Sequence, residues 1–251
     1  MGDDACADAY LGVWNSIVEL GPKSVDEAHY DERAMIELTD PASSAGDRYL
    51  LLADISGYTA FLASVEQAHD VDFGAGIPAG YAVLGELLDA VIEGVQPNFA
   101  IAKLEGDAVF AVAPAAALDA RGDEVIGRLQ GLYDAFRRAR EKARAARDHV
   151  CTACPVVGSL DLKMVLHRGR VVRQSIGSSA ELLGPAVNVA HRLLKNNIQE
   201  RLGYRPYLFM TDAAAEGLNL AAAGVEHHEE YPDVGSVGGR VLPLGAPPRE
   251  S

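Results

Sequence analysis

The stretch KLEGDAVFAV, residues 103–112, sets Lys103, Glu105 and Asp107 at the mouth of an apolar segment, and a second apolar segment, LLLAD, ends on Asp54. If the two segments are neighbouring strands, Asp54 and Asp107 lie side by side. Two carboxylates so placed repel and raise each other's pKa unless a cation lies between them. Mg²⁺ suits that place, because it takes hard oxygen ligands and is held by one or two carboxylates plus substrate phosphates. A pair of such ions can stabilise both the attacking and the leaving oxygen in phosphoryl transfer. Gly57 follows Asp54 and Gly106 precedes Asp107; bare backbone there would let phosphate oxygens reach the N–H groups. Taken singly, each aspartate has a plainer reading, Asp54 as a strand-end cap and Asp107 as a turn residue.

The elements that must position these charges follow from periodicity. Residues 4–20 read as a short amphipathic helix with Leu11, Trp14 and Val18 on one face, closed by Gly21-Pro22. TDPASSAGDR (39–48) is loop chemistry, and the first strong strand is YLLLADI (49–55). The chain therefore divides into an N-terminal helical and loop extension, 1–47, and one core domain, 48–251. A helix over YTAFLASVEQA, a glycine-rich gap and a helix over YAVLGELLDAVIEGV lead to two short strands, FAIAKL and AVFAVA. Only Glu105, Gly106 and Asp107 separate them, which is a hairpin signal. A long helix follows over about Asp123 to Arg147, then strands at LDLKMVLHRG and RVVRQSIG, and a helix over PAVNVAHRLLKNNIQE with Pro185 in its first turn. YLFMTD, VEHHEEY and RVLPLG complete the strands, with a short helix between. This order predicts an α+β architecture, one sheet with helices packed on one face.

Composition narrows the function classes. The 251 residues are 49% hydrophobic and carry a net charge of −14, which repels nucleic acid polymers. A small phosphorylated ligand could bind where a cation reverses the local sign. Neither a membrane span nor an export signal is read from the sequence, so the expected location is cytoplasmic. The three cysteines, Cys6, Cys151 and Cys154, suit a reducing compartment.

Three segments carry a resemblance. LLLADISGYTAFL resembles the first-strand motif of class III nucleotidyl cyclases, KLEGDAVFAV their hairpin motif, and ELLGPAVNVAHRLL their segment bearing an asparagine and an arginine on a helix. The resemblance runs from roughly Tyr49 to Leu244 and implies the family's ferredoxin-like, palm-type βαββαβ core, a mostly antiparallel sheet with helices packed on it. It implies that Asp54 and Asp107 hold two Mg²⁺ or Mn²⁺ ions with the carbonyl of Ile55. Gly57, Tyr58 and Thr59 would meet the triphosphate, Lys103 would read the purine, Asn188 would orient the ribose and Arg192 would stabilise charge on the α-phosphate. Glu181 stands where adenylate cyclases of the class usually keep an aspartate that accepts from adenine. An acid in place of Lys103 would be more typical of a guanylate cyclase, so ATP is the expected substrate. The resemblance further implies a head-to-tail homodimer in which the aspartates of one subunit face the purine and transition-state residues of the other. Cyclic AMP and pyrophosphate would be the products.

HVCTACP and HRLLKN also resemble segments of an uncharacterised bacterial subgroup of cyclase-like proteins, so two readings stand beside the cyclase. One is a non-catalytic domain that binds nucleotide or dimerises as a regulator, and the other is a metal-dependent phosphotransfer enzyme such as a nucleoside triphosphate hydrolase. His149, Cys151 and Cys154 leave open free cysteines, a zinc shared across a dimer, or redox thiols. The basic face of the long helix reads as solvated. His167 and His191 read as packing residues, His227 and His228 as surface, Glu105 as a solvent-facing turn residue, and Arg240 as a candidate cation for terminal phosphates.

Overall fold

The computed structural model of the protein describes residues 44–68, 79–96, 98–146, 154–177, 179–203 and 205–245. The expected helix over 4–20, most of the glycine-rich gap, and Cys6, His149 and Cys151 lie outside the described residues.

β1 (Ser44–Ser56) begins ahead of Arg48 and is the central strand of the core. Leu50 and Leu52 are buried on one of its faces, and Tyr49, Leu51, Ala53 and Ile55 on the other. A strand buried on both sides needs such an unbroken apolar run. α1 (Tyr58–Ala68) and α2 (Ala79–Val95) lead to the hairpin β2 (Ala100–Glu105) and β3 (Ala108–Pro114). α3 (Ala115–Leu118) and the long α4 (Gly122–Ala145) lead to β4 (Asp161–Ile176) and β5 (Ser179–Leu183). α5 (Pro185–Leu193), α6 (Ile198–Leu202), β6 (Tyr207–Thr211), α7 (Asp212–Gly217), β7 (Val225–Tyr231) and β8 (Gly235–Pro243) complete the chain. The eight strands form one sheet in the order β2-β3-β1-β4-β6-β8-β7, with β5 paired to β4. Every pairing is antiparallel except β4 with β6. The order β1, helix, β2, β3, helix, β4 is that of the palm-type ferredoxin-like core.

Helices cover both faces of this sheet, not one. On the first face, Phe61, Leu87, Val91, Leu129, Leu132 and Phe136 of α1, α2 and α4 pack on Leu51, Val109 and Met164. Each such side chain contributes about 1.5–3 kcal/mol on burial. On the second, Ala186, Ala190 and Leu193 of α5 and Ile198 of α6 pack on Leu50, Leu52, Phe110 and Val165. Small alanines let α5 approach closely, and Gly169 of β4 completes that fit: a Cβ there would stand 2.6 Å from the Cβ of Ala186. Gly169 therefore serves packing, and β4 runs unbroken for 16 residues across the two strands expected at LDLKMVLHRG and RVVRQSIG. The expected helix over 185–200 stops at Leu193, because Asn196 donates to the Leu193 carbonyl at 2.7 Å and accepts from the Ile198 N–H at 3.1 Å. An asparagine that bonds neighbouring backbone on both sides offers the chain an alternative to the helical ladder.

Candidate active site

Register decides which charges meet. Asp54 pairs with Ala108 of β3 and with Lys163 of β4. Directly paired residues share a sheet face, so Asp54 and Lys163 lie on the face covered by α5. The Lys163 ammonium sits 3.0 Å from Oδ2 of Asp54 and donates to the Leu194 carbonyl at 3.1 Å, just beyond the end of α5. Asp107 follows Gly106, whose φ of +66° closes the hairpin. Its carbonyl accepts from the N–H of Ile55 at 3.1 Å, tying together the two segments that carry the aspartates. The Asp107 carboxyl is pushed above the usual carboxylate range, first by burial and then by the charge of Asp54, with Lys163 opposing. Asp107 thus feels the charge of Asp54, a repulsion that a bound cation would relieve.

The turn out of β1 is formed by Gly57, whose φ of +90° suits glycine. Its carbonyl accepts from the N–H of Phe61 at 3.0 Å, starting α1. Tyr58 opens that helix and packs against the first core; burial, then Tyr81, then the charge of Asp107 push its phenol pKa up. Thr59 is exposed in the first turn. Ile55 itself is buried in the first core. Arg205, 149 residues further along, donates to the Ser56 carbonyl at 3.0 Å and the Ser159 carbonyl at 2.8 Å, and a Cβ on Gly57 would stand 2.8 Å from its guanidinium.

A second group forms on the same face. Lys103 pairs across the hairpin with Phe110, and its ammonium lies 2.7 Å from Glu105 Oε1. Glu105 Oε2 lies 3.2 Å from Nδ1 of His191 on α5, and the His191 ring meets Phe110 edge-on. Glu105 is thus a half-buried bridge between hairpin and helix, not the solvent-facing turn residue expected. Asn188 and Arg192 are exposed, one turn apart on α5, opposite the face that buries Ala186, Ala190 and Leu193. Arg192 donates to Asp233 Oδ2 through Nε at 2.9 Å and a terminal nitrogen at 2.5 Å. Glu181 lies on β5 opposite Gln174, in the hairpin that extends from β4. One chain therefore gathers Asp54, Asp107 and Lys163 in one place and Lys103, Glu105 and His191 in another, and leaves Asn188 and Arg192 facing outward.

Two features were not readable from the sequence. Lys163 is one polar position in an alternating strand, and only register brings it to Asp54. Arg205 gave no signal at all. Elsewhere, His227 is buried, against expectation: its Nε2 lies 2.7 Å from Glu229 Oε1, which also accepts from the Asn197 N–H at 2.9 Å. His228 is exposed and 3.1 Å from Glu226, and Arg240 stands 4.0 Å from Glu226 with its Nε buried and unpartnered. On α4, Arg137 and Arg144 pair within the helix with Asp134 and Glu141, whereas Arg140 turns inward to the Leu160 carbonyl at 2.6 Å and to Asp161.

The donor set fits a magnesium-type ion: two carboxylates with the backbone of one turn is what Mg²⁺ uses together with phosphates. Among the described residues no group of three or more His, Cys, Asp or Glu could hold a metal by itself, so such an ion would depend on its ligand's phosphates.

Known proteins bear on this fold. Residues 84–202 match a family described as a protein of unknown function (DUF2652). An uncharacterized protein of Mycobacterium tuberculosis is 34% identical over 136 residues, 54% of this chain and 60% of that one. The chain thus spans less than two thirds of that relative's length. Among solved structures, a bacterial light-regulated adenylyl cyclase superposes with a TM-score of 0.56 at 18% identity, over 82% of this chain and 53% of that one. The adenylyl cyclase CyaB from P. aeruginosa gives 0.56 at 13%, over 84% and 100%. The guanylyl cyclase Cya2 gives 0.54 at 15%, over 84% and 99%. Among the described residues no helix is long and apolar enough to cross a membrane. With the eight-stranded sheet and its βαββαβ order, these superpositions show that the chain has the fold of class III nucleotidyl cyclase catalytic domains.

Proposed function

We propose that the protein is a nucleotidyl cyclase that converts ATP to 3′,5′-cyclic AMP and pyrophosphate in a head-to-tail homodimer. The observation that carries this reading is that Asp107 lies within the charge of Asp54, which meets Lys163 at the end of β1, with Gly57 opening the adjacent turn. Asp54, Asp107 and the Ile55 carbonyl would hold two Mg²⁺ or Mn²⁺ ions, which supply charge stabilisation at the attacking and leaving oxygens. Tyr58, Thr59 and the backbone of Gly57 would seat the triphosphate, and Lys163 would turn from Asp54 to a phosphate oxygen once the carboxylates have another cation. The purine would meet Lys103 beside an acidic side chain, and the ribose Asn188. Arg192, released from Asp233, would reach the α-phosphate of a nucleotide held by the partner's aspartates. The ribose 3′-oxygen then bonds to the α-phosphorus, its proton passes to solvent, and the bond to the β-phosphate oxygen breaks to release pyrophosphate. Such a transfer asks of the protein mostly positioning and charge stabilisation.

A second reading, a nucleotide-binding or dimerising regulator without catalysis, is favoured by the two contacts that must break. Asp54 already has a cation in Lys163, and Arg192 is forked on Asp233. Incubation with ATP, GTP, CTP and UTP separately, with Mn²⁺ or Mg²⁺ and products read by mass, separates the two. A cyclic nucleotide that disappears in Asp107→Ala supports the cyclase. Binding without product supports the regulator, and release of orthophosphate would point to hydrolysis.

A further inference from the structure

We propose that Glu105, held by His191, is the carboxylate that works with Lys103 in reading the base of a bound nucleotide; this rests on the nucleotide-site reading above. Lys103 and Glu105 are two residues apart on β2 and pair with Phe110 and Ala108, so both side chains leave the same sheet face. One Glu105 oxygen lies 2.7 Å from the Lys103 ammonium and the other 3.2 Å from His191 Nδ1. The side chains are 48% and 29% exposed, so the pair is anchored yet open to a ligand.

Stability does not account for it. The Lys103–Glu105 pair, half exposed on its lysine side, adds little to stability and costs side-chain entropy to hold. Function does: the ammonium keeps two further donors after meeting Glu105, and the carboxylate keeps unused lone pairs. Side by side they offer one donor and one acceptor. Adenine presents the complement on one edge, the N1 acceptor beside the 6-amino donor. Lys103 donates to N1 and Glu105 accepts from the amino group. Glu181, by contrast, lies in the β4–β5 hairpin opposite Gln174. His191 acts through Glu105 as a positioning residue, and because it sits on α5 it links base reading to the helix that carries Asn188 and Arg192.

The test compares binding of the α,β-methylene triphosphates of adenosine and of purine riboside, which lacks the 6-amino group, by calorimetry with Mg²⁺. A hydrogen bond to a charged acceptor predicts about a tenfold or greater preference for the adenosine compound in the wild type. In Glu105→Ala that preference falls to near parity, whereas Glu181→Ala keeps it. Glu105→Gln, which can still accept through its amide oxygen, keeps part of it and guards against a folding defect, which thermal melts monitor. His191→Ala lowers the preference and His191→Asn restores part of it, a rescue that loss of fold would not give. Retention of the full preference in Glu105→Ala, or its loss in Glu181→Ala alone, overturns the proposal. Equal binding of both compounds by the wild type also overturns it while leaving the nucleotide site standing; binding of neither overturns the nucleotide site itself.

Discussion

The Lys163 ammonium, 3.0 Å from Asp54, is the cation that lets two carboxylates share one end of the sheet. Its removal by Lys163→Ala is expected to lower cyclase turnover by about 10²-fold, the size typical of losing one group that stabilises developing charge. The measurement is cyclic product per enzyme at saturating nucleotide and Mn²⁺. His167 reports on stability instead. Burial pushes its pKa down to about 4 from 6.5, and its Nδ1 lies 3.0 Å from the Thr211 hydroxyl. A depressed folded-state pKa contributes stability that is complete above the unfolded value and is lost as pH falls through the folded one. Denaturation in urea should therefore show a loss on the order of 3 kcal/mol between about pH 6.5 and 4, and His167→Gln should flatten that window. Asp54 and Asp107 stood out in the sequence because a charge at the edge of an apolar run is conspicuous. Lys163, Arg205 and the half-buried Glu105 were not, because each gains its partner from register or from a residue far along the chain.

The joint between α5 and β4 sets where Asn188 and Arg192 sit. Gly169→Ala drives a methyl group to 2.6 Å from Ala186, a separation that packing does not tolerate. It should cost about 1–3 kcal/mol in unfolding free energy, as overpacking does. The same shift should reduce turnover, because the outward face of α5 moves with the helix. The buried His227–Glu229 pair pins β7 to the start of α6 through the Asn197 N–H. Glu229→Ala leaves both donors unpaired, and a loss of about 1–3 kcal/mol in a thermal or urea melt is expected. Strand and helix order was readable from periodicity and turn chemistry. The continuity of β4 through Gly169 was not, because a glycine that permits close packing and one that ends a strand look alike in a single sequence. The end of α5 was hidden because Asn196 acts through side-chain bonds that helical spacing does not display.

For the whole molecule, the outward placement of Asn188 and Arg192, away from the core that their helix covers, gives the proposed homodimer its physical motive. If each site takes Asp54 and Asp107 from one chain and Asn188 and Arg192 from the other, a defect in either half can be complemented. Asp107→Ala and Arg192→Ala are each expected to lose cyclic nucleotide formation as pure proteins. Mixing the two in equal amounts after subunit exchange makes mixed dimers half of the population, each with one intact site of its two. Recovery of about a quarter of wild-type activity is then expected for a symmetric two-site dimer. An inactive mixture alongside an active wild type, or a single variant that keeps full activity by itself, would contradict a site built from two chains.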